Sequence, residues 1–402
     1  MSVGETAMNV IAPISGSNDP VESGIAAYLD EIIALRHDLH RYPELAFQER
    51  RTSKIIASNL SSWGYEVATG IAGTGIVATL RRGSGEKRIG IRADMDALPI
   101  EEATGLDYAS NNPGVMHACG HDGHSSILLA AARYLAESGN FNGTLRLIFQ
   151  PAEEIGAGAR RMISEGLFEH FPVDAVFGLH NWPGVPTGQF GFVEGAAMAS
   201  VDQANIRIVG EGGHGAEPHR AIDPVLASAS FITALQSVVS RNVDPQEMAV
   251  VTVGSIHAGS ASNVIPESVE LKLTMRAFNE RVREQLRERI PSLALAQAES
   301  FGAVAKVDYR LGFPALINHR EETAFAREVA LDTFGAAKVE IDFKPRTASE
   351  DFAFMLQAQP GSYLFVGNGD SAPLHSAHYN FDDAIIVPAA RYWVRLAETF
   401  LR

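Results

Sequence analysis

Apolar positions recur with a helical period through GIAAYLDEIIALRHDLHRYPE (24–44), where Pro43 stops them, and again through QERRTSKIIASNLSSWG (48–64), where Gly64 supplies a C-cap. The period then shortens to that of strands in GIVATLRR (75–82) and RIGIRAD (88–94). SSILLAAARYLAESG (125–139) is helical, LRLIFQ (145–150) a short apolar strand, ARRMISEGLF (159–168) helical again and DAVFGLH (174–180) another buried strand. Strands alternating with helices predict a mainly parallel α/β sheet covered on both faces.

Near residue 200 the pattern changes. QANIRIVG (203–210) reads as a strand and PVLASASFITALQSVVSR (224–241) as a helix; AVVTVGSIHAG (249–259) and SVELKLTMRAF (268–278) read as paired strands. A helix at 281–302 and a strand at 303–313 complete the order β-α-β-β-α-β, which predicts a ferredoxin-like α+β unit. The α/β pattern returns with a helix at 321–335, a strand at 362–369 and a helix at 387–401. The expected organisation is a tail at 1–22, one domain from 23–197 and 312–402, and a smaller domain, 198–311, inserted into it.

Composition narrows the class. Hydrophobic residues at 46% and charged residues at 20% are ordinary for a soluble globular protein. A formal charge of −15 disfavours nucleic acid and anionic membranes as partners. The N-terminal stretch lacks a basic region followed by a long apolar run, so no signal peptide is expected. A single cysteine suits a reducing compartment, and a cytoplasmic location is expected.

The chemistry collects just after predicted strands, where ligands bind in open α/β sheets. RIGIRAD leads into Met95 and Asp96, LRLIFQ into PAEE, VFGLH ends at His180, and YLFVGNG precedes LHSAH. The lone Cys119 lies in MHACGHDGH (116–124), between His117 and His121. Thiolate, imidazole and carboxylate together suit zinc and its transition-metal neighbours. More candidates converge than one ion requires, which points to two metals sharing a ligand. Cys119 could instead be a nucleophile with a histidine base, which would leave the groups at the other strand ends idle. His117, His121 and His124 cannot all ligate easily, and His124 is expected to cap the following helix. Of Glu153 and Glu154, one is read as ligand and the other as general base. His37 and His40 are read as a solvated helix face; His170, His257 and His319 as structural or surface residues.

RADMDALPI, MHACGHDGH, FQPAEE, GLHNWP, GGHGAEPHRAIDP, SASNVIP, ASEDFAF and LHSAHYNFDD occur in this order. The chain thereby resembles the M20 metallopeptidase family, in the amidohydrolase branch of hippurate hydrolases, N-acyl-amino-acid amidohydrolases and auxin-conjugate hydrolases. The resemblance implies Cys119, His121, Glu154, His180 and His375 as metal ligands, with Cys119 bridging two divalent ions (manganese, zinc, cobalt or nickel). It implies Glu153 as general base and Asp96 as a catalytic acid supporting the metal centre. It implies that the inserted domain is a lid that dimerises, with His214 reaching the partner subunit's site and Asn263 and Arg276 gripping a substrate carboxylate. The implied activity is metal-dependent hydrolysis of N-acyl-amino acids in a homodimer. A dipeptidase or aminopeptidase of the same fold is the alternative, and a non-catalytic binding protein is a third reading, against which Glu153 argues.

Overall fold

The computed structural model describes residues 19–340 and 342–402. Its larger sheet has eight strands in the order Glu66–Ile71, Gly75–Arg82, Gly143–Gln150, Arg88–Asp94, Ala175–Trp182, Gly361–Gly367, Phe190–Gly191 and Val339–Glu340. The four middle strands run parallel, and the Glu66–Arg82 hairpin joins one flank antiparallel. Parallel strands need crossover helices, which cover both faces of the sheet and bury both side-chain sets. Ile91, Phe177 and Leu364 face one core with helices His121–Ser138 and Ile386–Phe400. Val176, Tyr363 and Phe365 face the other, with Gly158–Ser164 and Phe352–Ala358. Each such large apolar side chain contributes roughly 1.5–3 kcal/mol when fully buried. Because the middle strands are parallel, their carboxyl ends emerge on one edge, and the polar motifs emerge with them.

The smaller sheet has four antiparallel strands ordered Ala249–Ala258, Ser268–Ala277, Ser200–Val209 and Val304–Leu311. Helices Pro224–Ser237 and Glu280–Ser300 pack on one face. Ala204, Ile206 and Ile208 point into that core, and the intervening Gln203, Asn205 and Arg207 face outward, as a two-residue period requires. The β-α-β-β-α-β order is the one expected. Among the described residues no helix is long and apolar enough to cross a membrane.

Several local expectations need correction. Most of the expected 1–22 tail lies outside the described residues, but Pro20–Ala26 is helical, capped by Asp19 (Val21 N–H to Oδ1, 2.8 Å), with Val21 and Ile25 buried. The first helix is two, Pro20–Ala26 and Leu29–Arg41. The helix after the cysteine begins at His121, so His124 lies inside its first turn and caps nothing.

The expected solvated face of His37 and His40 is the largest error. Arg36 and His40 are fully buried. His40 Nδ1 lies 2.8 Å from Asp122 Oδ2, Arg36 reaches both Asp122 (3.3 Å) and Asp383 (2.9 Å), and His37 lies 2.8 Å from Asp383. A buried carboxylate recruits cations as strongly as an apolar core recruits leucine.

Burial opposes charge on His40, yet Asp122 outweighs it and lifts the imidazole's pKa from 6.5 to about 9. A raised pKa gives stability that is complete below the unfolded value and lost as pH rises through the folded one. The unfolding temperature should therefore fall between about pH 7 and about pH 9, and His40→Gln should be less stable and flatter across that window. An equal slope in the two proteins, measured at matched metal content, would remove His40 from this role.

Candidate metal centre

The HACGH loop is held from three sides. Asn181 Nδ2 donates to the Cys119 carbonyl (2.7 Å), Tyr379 donates to Asn181 Oδ1 (2.7 Å), and the His375 N–H donates to the Ala118 carbonyl (2.8 Å). Gly120 takes φ of 92°, and a Cβ there would lie 2.4 Å from Asn181 Nδ2, so only glycine lets the loop turn into the helix. His124 donates from Nδ1 to Asp94 Oδ1 (2.7 Å) and accepts the Asn181 N–H at Nε2 (3.0 Å), leaving neither nitrogen for a metal. His117 is buried beside this network.

His121 and His180 differ from His124. His121 Nδ1 donates to the Asp96 carbonyl (2.9 Å) and His180 Nδ1 to the Asn181 carbonyl (2.6 Å), which presents Nε2 of each as a ligand. His180 Nε2 lies 3.4 Å from Cys119 Sγ. On the other side His375 Nε2 lies 3.3 Å from Glu154 Oε2. Cys119, His121 and His180 have ligand atoms within 4.8 Å of one another, and so have Cys119, Glu154 and His375. Cys119 belongs to both sets, the geometry of a shared ligand.

Electrostatics favours cations here. Burial and the surrounding Glu154, Glu153 and Asp94 push the Cys119 thiol well above its ordinary value, so these neighbours oppose a free nucleophilic thiolate. Burial lifts Glu154 to about 7 despite nearby His121. Burial opposes charge on His121, but Asp94, Asp96 and Glu154 outweigh it and lift its pKa to about 10. His121 Nε2 and Glu154 Oε1 are buried without hydrogen-bond partners, a cost that metal coordination removes. The residues present therefore fit divalent ions, and soft thiolate with imidazole fits the transition series.

Glu153 lies between two sets: its carboxylate comes within 4.8 Å of Glu154 and His121 on one side, and joins a buried acidic group with Glu350 and Asp351 on the other. The Asp351 N–H donates to Glu153 Oε1 (3.3 Å). Burial, Glu350 and Glu154 hold the Glu153 carboxyl well above its usual range. Arg92 is the cation of this group: it contacts Asp94 (2.8 Å), Glu350 (2.8 Å) and Asp351 (3.2 Å). Asp96, expected to support the metal centre, does not line the cleft but lies behind it: its Oδ1 and Oδ2 accept the N–H groups of Glu153 (3.0 Å) and Glu154 (3.1 Å), and Oδ1 lies 3.3 Å from His121 Nδ1. Sequence reasoning gives no role to Arg92, Asn181, Glu350 or Asp351, although all but Asn181 share a motif with a neighbouring acid.

The cleft, about 800 Å³, opens between the two sheets. Cys119, Glu153, Glu154, His180 and His375 line one end, and Trp182, Met198, Phe313 and Leu374 supply apolar wall. Arg276 reaches the cleft from the smaller sheet, donating to the Thr347 carbonyl (2.9 Å) and Ser349 Oγ (2.8 Å). His214 and Asn263 do not line it; they sit together at an exposed two-stranded pairing of Gly213–His214 with Val264–Ile265, where the Gly215 N–H donates to the Asn263 carbonyl (2.8 Å).

Residues 90–399 match Peptidase family M20/M25/M40. The chain is 45% identical over 372 residues to a hippurate hydrolase of Campylobacter jejuni, covering 92% of this chain and 97% of that one. It is 39% identical over 399 residues to an N-acetyl-L-cysteine deacetylase of Bacillus subtilis, covering 99% and 94%. Among solved structures, the Bacillus subtilis YXEP protein, a dinuclear metal binding peptidase from the M20 family, matches with a TM-score of 0.81 at 34% identity, covering 94% and 99%.

Removal of one shared ligand should affect both ions. Cys119→Ala should lower bound transition metal in elemental analysis and abolish turnover in parallel. Full metal content in Cys119→Ala would exclude a bridging thiolate.

Proposed function

The chain belongs to peptidase family M20/M25/M40, and from that premise we propose that it is a metal-dependent amidohydrolase cleaving N-acyl-amino acids to a carboxylic acid and a free amino acid. The observation that carries this reading is Glu153 beside the thiolate–imidazole–carboxylate set, in one cleft with Arg276. Arg276 has no carboxylate partner among the described residues. A guanidinium in that state is suited to grip the α-carboxylate of the leaving amino acid, as a bidentate pair. The apolar wall of Trp182, Phe313 and Leu374 suits an aromatic or aliphatic acyl group.

Cys119, His121, Glu154, His180 and His375 would hold two divalent ions, which would supply Lewis acidity and acidified water at this end of the cleft. Manganese, zinc, cobalt and nickel suit this donor set. Glu153 takes a proton from the attacking water as its oxygen bonds to the carbonyl carbon. It returns that proton to the amide nitrogen as the C–N bond breaks, and so ends as it began. The one cysteine, used for metal and not for a disulfide, fits a reducing cytoplasm.

We read the assembly as a homodimer. Ala249–Ala258 is an edge strand with Ile256 half exposed, the kind of edge that another chain pairs with. His214, absent from its own cleft, then serves the partner's, where it donates to the developing oxyanion.

Three measurements test this reading. Glu153→Gln should keep its metal and lose several orders of magnitude in kcat, whereas Glu154→Gln should bind metal more weakly; near-normal turnover in Glu153→Gln would reject the base. Mixing inactive His214→Ala with inactive Glu153→Gln should restore partial activity after subunit exchange, and no restoration in exchanged dimers would return His214 to its own subunit or outside the chemistry. A panel of N-benzoyl-, N-acetyl- and indoleacetyl-amino acids, led by N-benzoylglycine, should be hydrolysed only with a free α-carboxylate. Equal rates on carboxylate-blocked esters would refute the Arg276 grip, and a strong preference for unacylated dipeptides would make the protein a dipeptidase.

A further inference from the structure

Ala152, immediately before Glu153, has φ of 54°. That is the left-handed region, which a residue with a Cβ occupies only when its surroundings impose it. Both sides of this residue are clamped. Its carbonyl accepts the N–H groups of Ala157 (3.2 Å) and Gly158 (3.1 Å). Its N–H donates to Oε1 of Glu49 (3.0 Å), a fully buried residue that also accepts the Phe47 N–H on Oε1 (3.0 Å) and the Thr74 hydroxyl on Oε2 (2.7 Å). With Asp96 on the next two amides, three successive N–H groups, 152 to 154, end on buried carboxylates. The reversal at Ala152 lies where the chain brings two neighbouring carboxylates to one site, Glu153 between Glu154 and the Glu350–Asp351 pair, Glu154 beside Cys119 and His375.

We infer that Glu49 is a positioning residue for Glu153 and Glu154, acting through the strained backbone of Ala152. It lies about a hundred residues upstream, where the chain enters helix Arg50–Ser62, and belongs neither to the cleft lining nor to the candidate metal-holding groups. Without its carboxylate, Ala152 is free to relax toward an ordinary φ, and the two glutamates turn with it. Glycine at 152 occupies positive φ without a Cβ penalty, so the turn should then persist without Glu49. A purely structural role for Glu49, as the entry to its helix, gives glycine at 152 no means of compensation.

The inference rests on Glu153 and Glu154 acting as base and ligand, and the test is a double-mutant cycle with two readouts. Wild type, Glu49→Ala, Ala152→Gly and the double variant are compared for kcat on N-benzoylglycine and for Mn²⁺ dissociation constant by titration. Glu49→Ala should lose about 100-fold in kcat, with KM changing less, and about tenfold in Mn²⁺ affinity. Ala152→Gly should cost wild type a few-fold through added backbone freedom, yet restore about tenfold in kcat and most of the Mn²⁺ affinity to Glu49→Ala. Glu49→Gln, which keeps an acceptor for the Ala152 N–H, should lose far less than Glu49→Ala. If Glu49→Ala does not fold, the same cycle is run with Thr74→Val, which frees Glu49 to swing away; a loss of several-fold and its rescue are expected. An equal effect of Ala152→Gly in both backgrounds, on kcat and affinity alike, overturns the inference. If wild type fails on N-acyl-amino acids, the substrate reading falls and the Mn²⁺ cycle still decides the role of Glu49.

Discussion

Arg92 lies wholly buried on a central strand and touches Asp94, Glu350 and Asp351, while Glu153, Glu154, Asp96 and Cys119 crowd the same strand ends. One guanidinium cannot balance that many acids. Burial of an uncompensated carboxylate is costly, so the remaining groups must find positive charge or hydrogen bonds from elsewhere. Asp96 takes backbone amides, Asp94 takes His124, and Glu350 takes the Tyr363 hydroxyl and the Phe352 N–H. What stays least matched is Cys119 and the two glutamates, Glu153 with a single amide and Glu154 with His375, and His121 and His180 are turned toward this group. The metal centre is thus the remainder of a charge balance whose other members are satisfied by the fold.

The same constraint reaches outward. Asp122, next to His121 on the helix, is held well below the usual carboxylate range, burial being outweighed by His40, His117 and Arg36. Arg36 continues to Asp383, which lies eight residues beyond His375. Helix Leu29–Arg41 is therefore docked partly by charge, and it ties an early part of the chain to the last motif. A polar stripe on this helix faces the interior because the helix it meets carries a carboxylate, not because apolar partners are lacking.

Charge balance also decides which features are legible in the amino-acid sequence. Buried parallel strands read clearly as apolar runs, and placing chemistry at their carboxyl ends points to the Glu153–Glu154 pair and His180 without deciding which glutamate does what; that division comes only from the family resemblance. The β-α-β-β-α-β order is equally legible, because each of its strands has one wet face and so alternates. Hydrophobic periodicity treats every charged residue as wet, however, and so misplaces Arg36, His37 and His40, whose partners lie far along the chain. Asp96 is expected only as a support of the metal centre; that it does so by holding two amides as well as approaching His121 is a matter of backbone direction that residue type does not encode. Glu49 carries no signal at all, since a glutamate at a helix entry is ordinary until the amide it holds is known.

The two connections to the smaller sheet add a geometric consequence. The Val201 N–H donates to the Phe313 carbonyl (3.1 Å), so the outgoing and returning chains run side by side, and both residues line the cleft. Phe313 also packs on the loop after Glu154: a Cβ at Gly156 would lie 1.8 Å from its ring. Arg276 is anchored to Thr347 and Ser349, just before Glu350 and Asp351. Any rotation of the smaller sheet about its connections would therefore move Val201, Phe313 and Arg276 together, and with them the cleft wall and the contact with the loop after Glu154.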